Sequence, residues 1–154
     1  MMTGDPDAEP RGQKAHRLSA GVVVVRRGVP GWLFLMLRAY RNWDFPKGMV
    51  EPGEAPLVGA RREVREETLI EDLEFRWGEV YLETGPYGNR KIARYYVAAT
   101  ATESVTLPVS PALGRPEHDE WRWVDRDRAL SLTVARLQPI VRWAAETVGI
   151  GWPG

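Results

Sequence analysis

The sequence predicts an α/β fold in which a mixed β-sheet lies between helices, an α/β/α sandwich. Two observations carry that reading. Residues 20–27, AGVVVVRR, and 32–37, WLFLML, are nearly continuous apolar runs, the composition of strands covered on both faces rather than on one. Strand-like and helix-like patterns then follow in the order strands, helix, strands, helix, which a layered arrangement around one sheet accommodates.

At 154 residues the chain is long enough to bury a proper core and short enough for one domain. Residues 1–17, rich in Gly, Pro, Asp and Lys, are expected to form a flexible tail, residues 18–150 the single domain and 151–154 a short C-terminal tail. Equal numbers of acidic and basic residues, 21 each, exclude a purely electrostatic binder of nucleic acid or membrane. No stable nucleic-acid complex and no membrane association are therefore expected. The absence of cysteine excludes disulfides and thiolate zinc sites and is compatible with a cytoplasmic location, the one expected here. No apolar run approaches a membrane span, and no signal-peptide segment or internal repeat is visible.

The first two strands are separated by RGVPG, a Gly/Pro turn. Pro46, Gly48, Pro52 and Gly53 then crowd one short span, which predicts a tight irregular loop. A helix follows from Ala55 to Thr68, its core stripe marked by Leu57, Ala60 and Val64. LEFRWGEVYLET and KIARYYVAATAT read as strands joined by the hairpin turn GPYGNR, and residues 103–116 as a proline-punctuated exposed loop. EWRWV reads as a further strand. Val134, Leu137, Val141, Ala144 and Val148 then space an amphipathic helix over Thr133–Thr147, with Pro139 either a kink or a restart.

The chemistry is concentrated in the first helix. REVREE sets Glu63, Glu66 and Glu67 at i, i+3 and i+4, one helical face on which like charges repel. Such a face is either well solvated or held by cations, and hard divalent ions choose carboxylate oxygens. Gly48, Glu54, Arg62, Glu63, Glu66 and Glu67 together stand at G-x5-E-x7-R-E-V-x-E-E, a spacing that resembles the signature of the Nudix hydrolases. The string W-D-F-P-K-G-x-V-E-x-G-E around it, with NRKIARYYVA and EHDEWRW downstream, is similar to the dinucleoside polyphosphate hydrolases of that family, above all the diadenosine tetraphosphate group. The family pattern continues E-E-x-G, whereas Leu69 stands here in place of glycine. A side chain is costly in the left-handed helix exit that glycine serves, so an altered exit is expected.

The resemblance implies a Nudix-type α/β/α sandwich and a metal-dependent pyrophosphohydrolase that cleaves a nucleoside diphosphate linked to another moiety. It implies Mg²⁺, or Mn²⁺, held by Glu63, Glu66, Glu67 and the carbonyl of Gly48, with Glu117 reaching in from EHDEWRWV and Glu120 as its competitor. Glu66 or Glu67 is expected to take the proton from water, with Glu117 an outsider. Arg62 is expected to brace the loop through Glu54. Lys47 is the expected phosphate contact, and Arg38, Arg41, Arg90 and Lys91 are weaker ones. Tyr87 and Tyr95 are nominated to hold a base on their ring faces, and His118 is a bystander or a phosphate hydrogen-bond donor. The expected partner is a small nucleotide such as diadenosine tetraphosphate. RNA 5′ pyrophosphate removal, diphosphoinositol polyphosphate cleavage and a catalytically inactive nucleotide-binding module are the alternatives. Oligomeric state and nucleobase are left open.

Overall fold

The computed structural model of the chain describes residues 17–149. The expected tails, apart from Arg17, and His16 lie outside them. Arg17 opens β1 (Arg17–Arg27), which pairs antiparallel with β2 (Trp32–Ala39) and parallel with the distant β6 (Lys91–Ala99). β5 (Tyr81–Tyr87) flanks β6, and β3 (Asn42–Asp44) flanks β2. β4 (Lys47–Met49) pairs with the beginning of β1 and β9 (Glu120–Val124) with β2, which completes a seven-stranded mixed sheet among the described residues. β7 (Val109–Ser110) and β8 (Arg115–Pro116) form a small separate hairpin within the proline-punctuated loop.

The apolar runs behave as their composition requires. Val22 and Val24 face α1 (Pro56–Thr68), where they pack with Leu35, Leu37, Ala60 and Val64. Val23 and Val25 face the opposite layer, with Phe34 and Met36, Ala129 of α2 (Arg126–Leu132), and Ile140, Val141 and Ala144 of α3 (Gln138–Val148). Both faces of the central strands are thus buried, and the α/β/α sandwich follows from that. No helix among the described residues is long and apolar enough to cross a membrane.

Several local expectations are corrected. The stretch around Pro46 and Gly48 is not wholly irregular, because β4 joins the sheet in the register Ala20↔Gly48 and Gly21↔Lys47. Gly21 makes that approach possible, since a β-carbon there would overlap the Pro46 carbonyl oxygen and Lys47 Cβ. The strand expected from Leu73 begins only at Tyr81, with Glu74 forming an isolated bridge to Ala99. Pro139 restarts rather than kinks a helix: a 3-10 turn spans Ala135–Leu137, and α3 begins with this proline in its first turn. The sequence reading did not foresee α2, whose Asp125 side chain accepts a hydrogen bond from the Arg128 N–H at 2.8 Å.

Leu69 adopts the exit geometry that the glycine of the pattern would supply. Its φ of 61° and ψ of 12° are left-handed, and its N–H reaches the Arg65 carbonyl at 2.9 Å. The expected alteration of the exit is therefore absent, and the conformational strain rests on Leu69 itself. A left-handed non-glycine residue costs roughly 1–2 kcal/mol, part of which the greater unfolded-state entropy of glycine offsets. Leu69→Gly is expected to stabilise the protein by about 1 kcal/mol, which raises the melting temperature by about 2–4 °C in a domain of this size. A lower melting temperature in a thermal scan would show that contacts of the Leu69 side chain outweigh the strain.

Candidate active site

Glu67 lies three residues after Val64 and seven after Ala60, so it continues the core stripe of α1 rather than standing beside it. It is only 5 % exposed, and among the described residues neither carboxylate oxygen has a hydrogen-bond partner. This corrects its expected position on the exposed edge of a cleft. Burial, reinforced by the neighbouring Glu63 carboxyl and the Glu117 charge and opposed by Lys47, holds the Glu67 carboxyl well above the usual carboxylate range. Glu117 and His118, from the loop before β9, complete the group: the ligand atoms of Glu67, Glu117 and His118 lie within 4.8 Å of one another. His118 Nδ1 is 3.6 Å from Glu67 Oε1, and burial keeps its imidazole below the usual histidine range, hence neutral at pH 7. Burial, and then Glu63, push the Glu117 carboxyl up as well.

Arg62 fastens the loop to the helix. Its Nε and Nη2 donate to the two oxygens of Glu54 at 2.8 and 3.0 Å, and Nη2 also donates to the Met49 carbonyl at 3.0 Å. Nη1 donates to Glu63 at 2.8 Å and Glu66 at 3.0 Å. Glu54 in turn accepts the Glu51 N–H at 3.0 Å, and these bonds, Arg62 first, hold its carboxyl down at about 2. The Glu63 carboxyl lies directly against Gly48, where any β-carbon would overlap it. Glycine at that position admits the Glu63 carboxyl, which any side chain there would displace; its backbone angles do not demand glycine.

Asp44 of WDFPKG, with Arg136 from the C-terminal half, organises the cationic side of the site. Lys47 Nζ is 3.7 Å from Asp44 Oδ2, and Arg136 Nη2 is 3.6 Å from the same atom. Tyr95 donates its hydroxyl to Asp44 Oδ1 at 3.0 Å. Its ring is 0 % exposed and packs edge-on to Phe45, so no base can stack on it. That removes Tyr95 from the expected base contacts. Tyr87 ends β5 instead of standing on the turn, and the Arg136 guanidinium covers one face of its ring, 3.8 Å from the centroid. Arg38 is engaged by Asp119 and Glu120, and Glu120 also by Arg122, which leaves Glu117 as the downstream acid brought to Glu67.

The donor set suits a hard divalent cation. A buried carboxyl with no hydrogen-bond donor, set against a second acid and a neutral imidazole, gathers oxygen and nitrogen donor atoms that a divalent cation would satisfy. Glu63 stands on the same side, whereas Glu66 is 54 % exposed at the rim. A cavity of about 490 Å³ opens onto Glu66, Glu67, Glu117 and His118. The sequence reading underrated His118 and missed Asp44 and Arg136. Asp44 was visible as the acid three residues before Lys47 in WDFPKG, but nothing local points from Arg136 to it.

The chain is similar in sequence and fold to known proteins. The asymmetrical bis(5′-nucleosyl)-tetraphosphatase of Caenorhabditis elegans is 31% identical over 120 residues, covering 74% of this chain and 83% of that protein. An RNA pyrophosphohydrolase of Bartonella henselae is 25% identical over 142 residues, covering 78% of this chain and 82% of that protein. A crystal structure of a C. elegans Ap4A hydrolase binary complex superposes with a TM-score of 0.71 at 26% identity, covering 86% of this chain and 98% of the other. The NUDIX domain model matches residues 15–144, nearly the whole described chain, and with the acids of α1 assembled as above this chain belongs to the Nudix family.

Proposed function

We propose that this Nudix pyrophosphohydrolase cleaves a dinucleoside polyphosphate, with diadenosine tetraphosphate as the leading substrate, by attack of water on phosphorus. The observation that carries the reading is the unpartnered, buried Glu67 carboxylate beside Glu117 and His118. Glu63, Glu67 and Glu117 are the assigned holders of Mg²⁺ or Mn²⁺, with the Gly48 carbonyl and Glu66 as further ligands. A divalent cation held there would neutralise phosphoanhydride charge and make water acidic enough to ionise near neutral pH. Of Glu66 and Glu67, exposure favours Glu66 as the proton acceptor: it lines the cavity, and Arg62 at 3.0 Å orients it. Lys47, tethered to Asp44 beside the acids, presents an ammonium to the phosphate chain.

The substrate class is supported by the tetraphosphatase and Ap4A hydrolase relatives, the RNA alternative by the Bartonella protein. A panel of dinucleoside polyphosphates, triphosphorylated RNA, nucleotide sugars and diphosphoinositol polyphosphates with Mg²⁺, products read by chromatography, separates the classes. Turnover of RNA ends well above that of diadenosine tetraphosphate would transfer the assignment to RNA, and no turnover at all to a binding module. Within the leading reading, Lys47→Ala should reduce kcat/KM for diadenosine tetraphosphate by about 10–100-fold, and for a nucleoside triphosphate by less. Equal losses on both substrates would remove the phosphate contact from Lys47.

A further inference from the structure

We propose that Leu69 determines specificity, as part of an apolar wall that receives the nucleobase of the substrate while its phosphates lie over Glu67 and Glu117. The inference rests on the nucleotide reading above and deepens it. Leu69 occupies a left-handed backbone conformation that disfavours every side chain, and it is 55 % exposed, so folding gains little from it. Neither local propensity nor core packing accounts for leucine there. Its place in the cavity does.

Leu69 lines the 490 Å³ cavity that opens onto Glu67, Glu117 and His118, and it shares that lining with Leu107, Val109 and Pro111 from the loop that carries the small β7–β8 hairpin. Val109 is itself 61 % exposed, so its side chain, like that of Leu69, is presented outward, while Leu107 also packs on the core. The volume suits a small ligand. Acidic side chains suited to cation-bound phosphate share this lining with the apolar ones. A ligand that meets both carries a charged part and a flat, apolar part. Arg65 and Glu71 line the same space and offer a donor and an acceptor. A heteroaromatic base can hydrogen-bond to both, which a plain hydrocarbon cannot.

Two variants separate contact from strain, because Leu69→Gly removes both and Leu69→Ala removes the contact while keeping the strained backbone. Calorimetry with Mg²⁺ would measure binding of adenosine 5′-(α,β-methylene)diphosphate and of methylenediphosphonate, which share a phosphonate head and differ by the nucleoside. In both variants the Kd of the nucleoside-bearing probe is expected to rise about tenfold, as for loss of one buried leucine contact, while that of methylenediphosphonate stays the same. The KM for diadenosine tetraphosphate should rise by a similar factor, with a smaller change in kcat. Unchanged nucleoside binding in both variants, equal weakening of the two probes, or a wild-type protein that binds the two probes equally would overturn the proposal. These binding results do not depend on turnover. Failure of the wild type to cleave diadenosine tetraphosphate would instead count against the substrate assignment, so the two failures are read separately.

Discussion

Glu67→Gln is expected to lower kcat by about 10²–10⁴-fold while making the metal-free protein more, not less, heat-stable. The two effects have one cause. Glu67 is buried on the core stripe of α1 with both oxygens unpartnered and the Glu63 and Glu117 carboxyls nearby. As a carboxylate it is a cation ligand whose isolation from donors strengthens its hold on a cation, and without one it is an acid that burial and the neighbouring carboxyls hold above its usual range, at a cost to the folded state. The amide keeps the shape but is not an acid, so it removes that cost and weakens the cation site together. A chelator-treated wild type should gain melting temperature on adding Mg²⁺ or Mn²⁺, and the variant should gain much less, because a ligand that binds only the folded state stabilises in proportion to its affinity. Thermal scans with and without cation, together with steady-state kinetics, test this. Near-normal turnover by the variant would remove Glu67 from the mechanism. A lower melting temperature without cation would show that its carboxyl has a stabilising partner.

That behaviour could have been anticipated from spacing alone. Leu57, Ala60 and Val64 define the buried face, and Glu67 falls on it by the same arithmetic; treating the three glutamates as one face hid this. The central strands were legible because β1 and β2 are apolar on both sides, as a strand must be when helices cover both faces of its sheet. Tyr95 was not legible as core for the same reason. On β6, Ala93, Tyr95 and Val97 face one helix layer and Tyr96 and Ala98 the other, so alternation distinguishes the faces but not inside from outside. The short α2 was obscured because RDRALSL buries a single residue, Ala129, and Asp125 is a cap signal that many turns share. Glu117 was named for its likeness to a family segment, whereas the choice over Glu120 needed three dimensions: Arg38 and Arg122 hold Glu120 away from the acids.

Arg62→Ala is expected to lower both activity and stability, and to change how stability responds to acid. One guanidinium, 15 % exposed, joins Glu54, Glu63, Glu66 and the Met49 carbonyl, and so ties the β4–α1 loop to the helix that carries the acids. Its removal leaves the shielded Glu54 and Glu63 carboxylates without their cation, and a fall in melting temperature of about 5–10 °C at pH 7 follows. Glu54 is held at about 2 in the folded protein against an ordinary value of 4.5. A carboxyl held down in this way binds fewer protons folded than unfolded between those values, so its contribution is complete above about pH 4.5 and is lost as pH falls toward 2. Wild type should therefore lose stability across that window more steeply than the variant, whose Glu54 keeps only the smaller part of the depression that the Glu51 N–H supplies. Lys in place of Arg62 should not restore the slope, since an ammonium cannot make the two-pronged contact with Glu54 while also reaching Glu63 and the Met49 carbonyl. Denaturant titrations from pH 5 to pH 2 on the three proteins measure the slopes directly. Coincident curves for wild type and Arg62→Ala would mean that the brace contributes nothing to folding, and that Arg62 serves the site only by orienting Glu63 and Glu66.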